Sequence, residues 1–235
     1  MAYLTLVKFA MRMPSDTRQR ILQAALKRFA EKGYAGTSVQ DLAAAARVSK
    51  PVLYYYFRNK ADLYRALVAR AGDERLRLMR EAVARADTLA GQLKELCAAL
   101  FESARTHREL MRLAFATALA APREVPREAH CFEKGWESFQ FIEELIERGR
   151  LSGVLDHRFD GRALALGFCG LMHLHVLLQL FQPQQPLDRQ TAEAVVDLFL
   201  SGSLARRTGD TSEGALLPSG SVRSSPAAEP DDRVP

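Results

Sequence analysis

Apolar residues recur three and four positions apart along most of this chain, and almost no window alternates apolar and polar as a half-buried strand would. That periodicity restricts the fold to helices packed on helices. Ile21, Leu22, Ala25, Leu26, Phe29 and Ala30 form a first stripe, with Ser15, Asp16 and Thr17 as cap candidates and Gly33 as its stop. A short second helix is expected from about Ser38 to Ala46, where Ser38 and Asp41 have capping-box spacing. A third follows Ser49, with Pro51 in its first turn, and a fourth begins at Asn59 and Asp62 and reaches about Arg80. Leu93, Leu96, Cys97, Leu100 and Phe101 make a fifth, and residues 107–120 a sixth. A Pro-containing loop over 121–127 separates these from a seventh helix, about Pro126 to Arg150, ended by Gly149 and Gly153. An apolar eighth covers 161–181, and Ala192, Val195, Val196, Phe199 and Ser203 mark a ninth. The expected fold is all-α, with about nine helices.

The 235 residues amount to about one and a half domains at roughly 150 residues each. The net charge of +5 is unevenly spread: residues 1–70 hold 13 basic and 4 acidic side chains, the remainder 20 and 24. A basic first third on an acidic body suggests a polyanion-binding module joined to something else. Residues 1–14 read as an N-terminal extension without the pattern of a secretion signal, and translation could equally begin at Met11 or Met13. Of the 30 residues 206–235, 12 are Ser, Gly or Pro, so this stretch is expected to be a disordered tail. Cys97, Cys131 and Cys169 are widely spaced, which fits a reduced, cytoplasmic compartment.

The basic third carries the chemistry. Residues 38–57 place two short helices around Arg47-Val48-Ser49, which is helix-turn-helix spacing. Leu53 and Phe57 are four apart and can both face a core, leaving Lys50, Val52, Tyr54, Tyr55 and Tyr56 to fan over the remaining surface. Phenol and ammonium donors suit phosphate oxygens, while Val52 and the tyrosine rings can touch thymine methyls. Lys60, at the start of the next helix, adds its charge to free backbone N–H groups.

Residues 17–64 contain Thr17-Arg18, Phe29-Ala30-Glu31-Lys32-Gly33-Tyr34, Thr37-Ser38-Val39, Val48-Ser49-Lys50, Leu53-Tyr54-Tyr55-Tyr56-Phe57-Arg58-Asn59-Lys60 and Leu63-Tyr64. This run resembles the signature of the TetR family of bacterial transcriptional regulators. The resemblance implies a homodimer with an N-terminal three-helix DNA-binding domain, 15–60, and a C-terminal effector-binding and dimerisation domain, 61–205. It places DNA contacts on Val39, Gln40, Lys50, Pro51, Val52, Tyr54, Tyr55, Tyr56 and Lys60. Two positions depart from the family pattern. Arg47 stands where glycine is common in the turn, and Pro51 where the recognition helix often has Gly or Ala.

For the body, the resemblance implies dimerisation through about 161–181 and 188–204, the most continuously apolar helices. Ala163–Phe181 is 19 residues without a formal charge, but His173, His175 and Gln179 argue against a membrane span. Phe101, Phe115, Trp136, Phe139 and His173 lie on helices that surround a pocket in such proteins, which suggests a small apolar or aromatic effector. His173 and His175 are about 200° apart on a helix, and His130 beside Cys131 is no better placed, so no metal site is expected. C-x-x-C, H-E-x-x-H, G-x-S-x-G and phosphate-loop motifs are missing, so neither a catalytic role nor a cofactor is expected. The functional expectation is a ligand-responsive repressor on a palindromic double-stranded operator. A constitutive or architectural DNA-binding dimer is the alternative.

Overall fold

The computed structural model describes residues 14–118, 125–126 and 131–203. The expected N-terminal extension (apart from Pro14), the tail at 206–235 and the His130 side of the loop lie outside the described residues. Nine α-helices are present among those described: α1 Pro14–Lys32, α2 Val39–Ala46, α3 Lys50–Tyr56, α4 Lys60–Val83, α5 Leu89–Thr106, α6 Arg108–Ala118, α7 Cys131–Leu151, α8 Gly161–Phe181 and α9 Arg189–Ser203.

Helix starts follow side-chain capping where a small polar residue precedes an apolar stripe. Ser38, Ser49, Asn59, Thr88 and Asp160 each accept a backbone N–H of the first turn they precede. Helix α1 departs from expectation. It already includes Ser15, Asp16 and Thr17, and Asp16 lies in its first turn, where a negative charge favours the helix dipole. Helix α7 is described from Cys131, while Pro126 is not helical. Gly149 does not stop α7, which runs to Leu151. A Cβ at Gly149 would occupy the space of a Leu89 methyl, so the glycine lets the start of α5 approach α7 closely.

The apolar stripes converge on two cores. The first takes Ile21, Leu22, Ala25 and Phe29 from α1, Leu42, Ala43 and Ala46 from α2, Leu53 from α3, and Phe57 just after it. Leu63, Tyr64 and Leu67 of α4 and Leu113 of α6 complete this core, which therefore extends beyond residue 60. The second unites Met79 of α4, Leu93, Leu96, Cys97 and Phe101 of α5, and Ile142, Leu145 and Ile146 of α7 with the inner faces of α8 and α9. Phe168 and Phe199 join those last two helices, with ring centroids 5.2 Å apart. By length and composition α8 could cross a membrane. Here its Leu164, Ala165, Phe168, Cys169, Met172 and Val176 are buried in the body.

Helix α4 belongs to both cores: its first half is buried with the head and its second half with the body. Helix α6 bridges them too, since Leu113 enters the first core while Met111 and Phe115 pack against the second. Tyr64 and Thr117 share a buried hydrogen bond that ties the two bridging helices together.

Candidate nucleic-acid interface

The interface is built on the turn between α2 and α3. At the start of α2, Ser38 Oγ accepts the Asp41 N–H at 3.0 Å while the Asp41 carboxylate accepts the Ser38 N–H at 3.0 Å. The Ser38 hydroxyl, which donates to the Asp41 carboxylate at 2.7 Å, and the Ser38 N–H hold that carboxyl below its ordinary range, helped by the charges of Lys32 and Arg28. The helix ends on Arg47 in the left-handed conformation, φ 53° and ψ 48°. Its N–H reaches Ala44 O at 3.1 Å and the Val48 N–H reaches Ala43 O at 3.0 Å, satisfying the last carbonyls of α2. Among the described residues Arg47 alone combines positive φ with a side chain, as its place in a turn that usually holds glycine suggests.

Helix α3 then turns Leu53 and the following Phe57 inward, where both are almost fully buried. The opposite side is open. Gln40, Lys50, Pro51, Val52, Tyr54 and Tyr55 are all exposed. Tyr55 retains 82% of its accessible surface and Tyr54 49%, an unusual exposure for large rings, and Tyr55 stands perpendicular to Tyr56 at 5.1 Å. Val39 and Tyr56 are set further back, packed partly against the head core. Six of the nine expected contact residues are thus exposed, while Val39 and Tyr56 are half-buried.

Lys60 differs from expectation. Its ammonium is not free: it donates to Tyr34 O at 2.8 Å and to Thr37 O at 3.0 Å, and it lies 4.1 Å above the Tyr34 ring. Partial burial lowers its pKa. Thr37, buried in the same turn, donates to Gly33 O at 2.8 Å. This staple fixes the end of α1 against the start of α4 and so sets the frame in which α2 and α3 sit.

Of the expected effector residues, Phe115 meets His173 and Trp136 meets Phe139. Phe101 is fully buried in the body core, 6.0 Å from the His175 ring. Phe115 stands edge-on to His173 at 6.4 Å. Trp136 and Phe139 stack at 5.3 Å beneath the Arg162 guanidinium, with Trp136 44% exposed. Aromatic identity marked these residues without giving their direction. A cavity of about 420 Å³ between α4 and α7 is instead lined by Asp73, Leu76, Arg77, Arg80, Glu81, Lys134 and Glu137, most of them already ion-paired.

A helix-turn-helix head with an exposed basic and aromatic recognition face, on an all-helical body, defines a DNA-binding regulator. Residues 21–67 match the family model described as bacterial regulatory proteins, tetR family. The chain is 27% identical to the transcriptional activator FasR of Mycolicibacterium smegmatis over 83% of its own length and 86% of that protein's. It is 29% identical to a transcriptional repressor of Streptomyces coelicolor over 62% of its length and 73% of the repressor's. The fold is shared with the fatty acid degradation regulator FadR of Bacillus halodurans (TM-score 0.67, 24% identity, 78% of this chain and 98% of that one). A Bacillus subtilis FadR solved with stearoyl-CoA is equally similar (TM-score 0.66, 24% identity, 78% and 98%). Residues 21–67 thus match the TetR family's N-terminal region, and the chain as a whole shares its fold with solved regulators of that kind.

Proposed function

We propose that this chain is a ligand-responsive repressor that binds a palindromic operator as a homodimer. The observation that carries the reading is the double membership of α4: a helix buried at one end in the DNA-binding head and at the other in the body cannot shift in one without moving in the other. An effector in the body that displaced α4 would therefore re-aim α3. Two recognition helices reading half-sites about 34 Å apart tolerate only a few ångströms of such displacement.

Support for the dimer comes from a stripe on α8. Ala163, Leu166, Gly167, Gly170, Leu174, Leu178 and Phe181 recur at helical spacing and are all exposed. Leu198 of α9, 64% exposed, extends the apolar surface. The missing Cβ atoms of Gly167 and Gly170 face open space, which leaves room for a second backbone. A pair of such helices from each of two chains would form a four-helix bundle.

Selection of bound DNA from a random library, followed by footprinting, tests the reading. The expected result is a palindromic consensus, protected on two half-sites and released by an effector. A single unrepeated site would rule out the symmetric dimer. Higher transcription of the bound gene on deletion of the regulator is expected, and lower transcription would make it an activator there. The full burial of Phe101 in the body core favours one second reading, a constitutive DNA-binding dimer whose body only dimerises. No thermal stabilisation by any member of a metabolite library would support it, since a ligand at 100 times its Kd adds about 2.7 kcal/mol.

A further inference from the structure

Arg75 lies in the body half of α4, and among the described residues no carboxylate pairs with it. Its Nε is enclosed and has no hydrogen-bond partner, and its outer edge donates from NH2 to His173 Nε2 at 3.3 Å. The acids on its own helix are engaged elsewhere: Asp73 with Lys134 at 2.9 Å, and Glu74 with Arg77. Helix α8, which faces it, carries no acidic residue over 161–181, and α6 has only Glu109, in its first turn. Among the described residues, the titratable groups recorded against Arg75 are His173 and Cys169. Burial holds the Cys169 thiol up at about 11, and desolvation followed by the Arg75 charge lowers His173, so its imidazole stays neutral and accepts from Arg75. The basic group is thus partly desolvated and uncompensated, an arrangement that costs free energy unless something else supplies the countercharge.

The surroundings say what could supply it. Phe115 stands edge-on to His173, Cys169 lies one turn earlier on α8, and Met172 is buried beside them. In the single chain His173 keeps an exposed surface on α8. An anion arriving at the guanidinium edge would meet two parallel N–H donors, the geometry that carboxylates and phosphates share. We propose that Arg75 anchors an effector site for the carboxylate or phosphate end of an otherwise apolar molecule. This rests on the ligand-responsive reading above and replaces a purely apolar effector with an anionic amphiphile. The site also sits where a response can begin, because Arg75 is on α4 and Phe115 is on α6, the two helices that join body to head.

The test uses the full chain and its Arg75→Met variant. Without ligand, the variant should melt at the same or a higher temperature than the wild type, because it removes an uncompensated charge and keeps the apolar stem. A melting temperature several degrees lower would make Arg75 a structural residue and overturn the site. Decanoate, decyl phosphate and decanol are then added to both proteins. At least one anion should stabilise the wild type and bind the variant at least tenfold more weakly, while decanol treats the two alike. The larger of the two anion shifts separates carboxylate from phosphate. Equal anion shifts in both proteins, or none in the wild type, overturn the proposal. Operator binding measured in parallel separates the two failures. Intact operator binding with no anion effect sinks the Arg75 site alone, whereas a wild type that binds no operator sinks the regulator reading.

Discussion

Lys60 and Arg47 show how a charged side chain in a DNA-binding head can serve the fold. Two of the three ammonium donors of Lys60 are held by the Tyr34 and Thr37 carbonyls. Lys60→Met should therefore destabilise the protein by about 1–2 kcal/mol, since both carbonyls lose a charged partner. The salt dependence of operator binding should stay unchanged. A slope reduced by about one would mean that the ammonium reaches a phosphate after all. Arg47 has the opposite sign. Its left-handed backbone costs about 1 kcal/mol that glycine would not, so Arg47→Gly should raise the unfolding free energy by up to that amount, and a lower value in urea melts would remove the strain assignment. Tyr55, the most exposed ring on α3, is expected to read bases: Tyr55→Ala should change both the selected consensus and the affinity, and an unchanged footprint would end its role. The left-handed turn at Arg47 was legible through the family resemblance, because glycine is common at that place in the turn. The bonds of Lys60 were not, because their acceptors are main-chain carbonyls that any residue would present.

Elements were more legible than single contacts. The 3.6-residue spacing of apolar side chains located nine helices, and the bounds of α8 coincide with the expected 161–181 because Asp160 caps one end and a Pro-containing segment closes the other. Boundaries slipped where no cap existed to read, at the start of α1 and inside α7, where Gly149 is required for close approach. Helical spacing fixes which residues share a face but not what that face packs against, so the ring contacts of Phe115 with His173 and of Trp136 with Phe139 were not legible. At this scale the exposed stripe of α8 makes a sharp prediction. Leu166→Glu with Leu174→Glu should leave helix content unchanged by circular dichroism while shifting sedimentation to a single chain. Operator affinity should fall at least a hundredfold as the second half-site is lost. A dimer that survives both charges would move the interface elsewhere.

At the scale of the molecule, the division of charge matters more than the net +5. The first 70 residues carry nine more basic than acidic groups and the rest four fewer. Operator binding should accordingly weaken steeply with salt, with a log–log slope set by the phosphates one pair of heads neutralises. A slope near zero in titrations from 50 to 200 mM salt would mean that the basic face is not the contact surface. The charge division suggested two parts, but not the packing between them, because that packing depends on long-range contacts of Leu63, Tyr64, Leu67 and Leu113.

That interlock limits how the head can be transplanted. A fragment ending at residue 60 would lose Leu63, Tyr64 and Leu67 from the wall of its own core, and even one ending at residue 83 would still lack Leu113, which comes from a helix some fifty positions downstream of residue 60. The head is therefore not a cassette in the linear sequence. A chimera that exchanges recognition specificity has to graft the outward face of α2 and α3 alone and leave the host's own α4 and α6 in place.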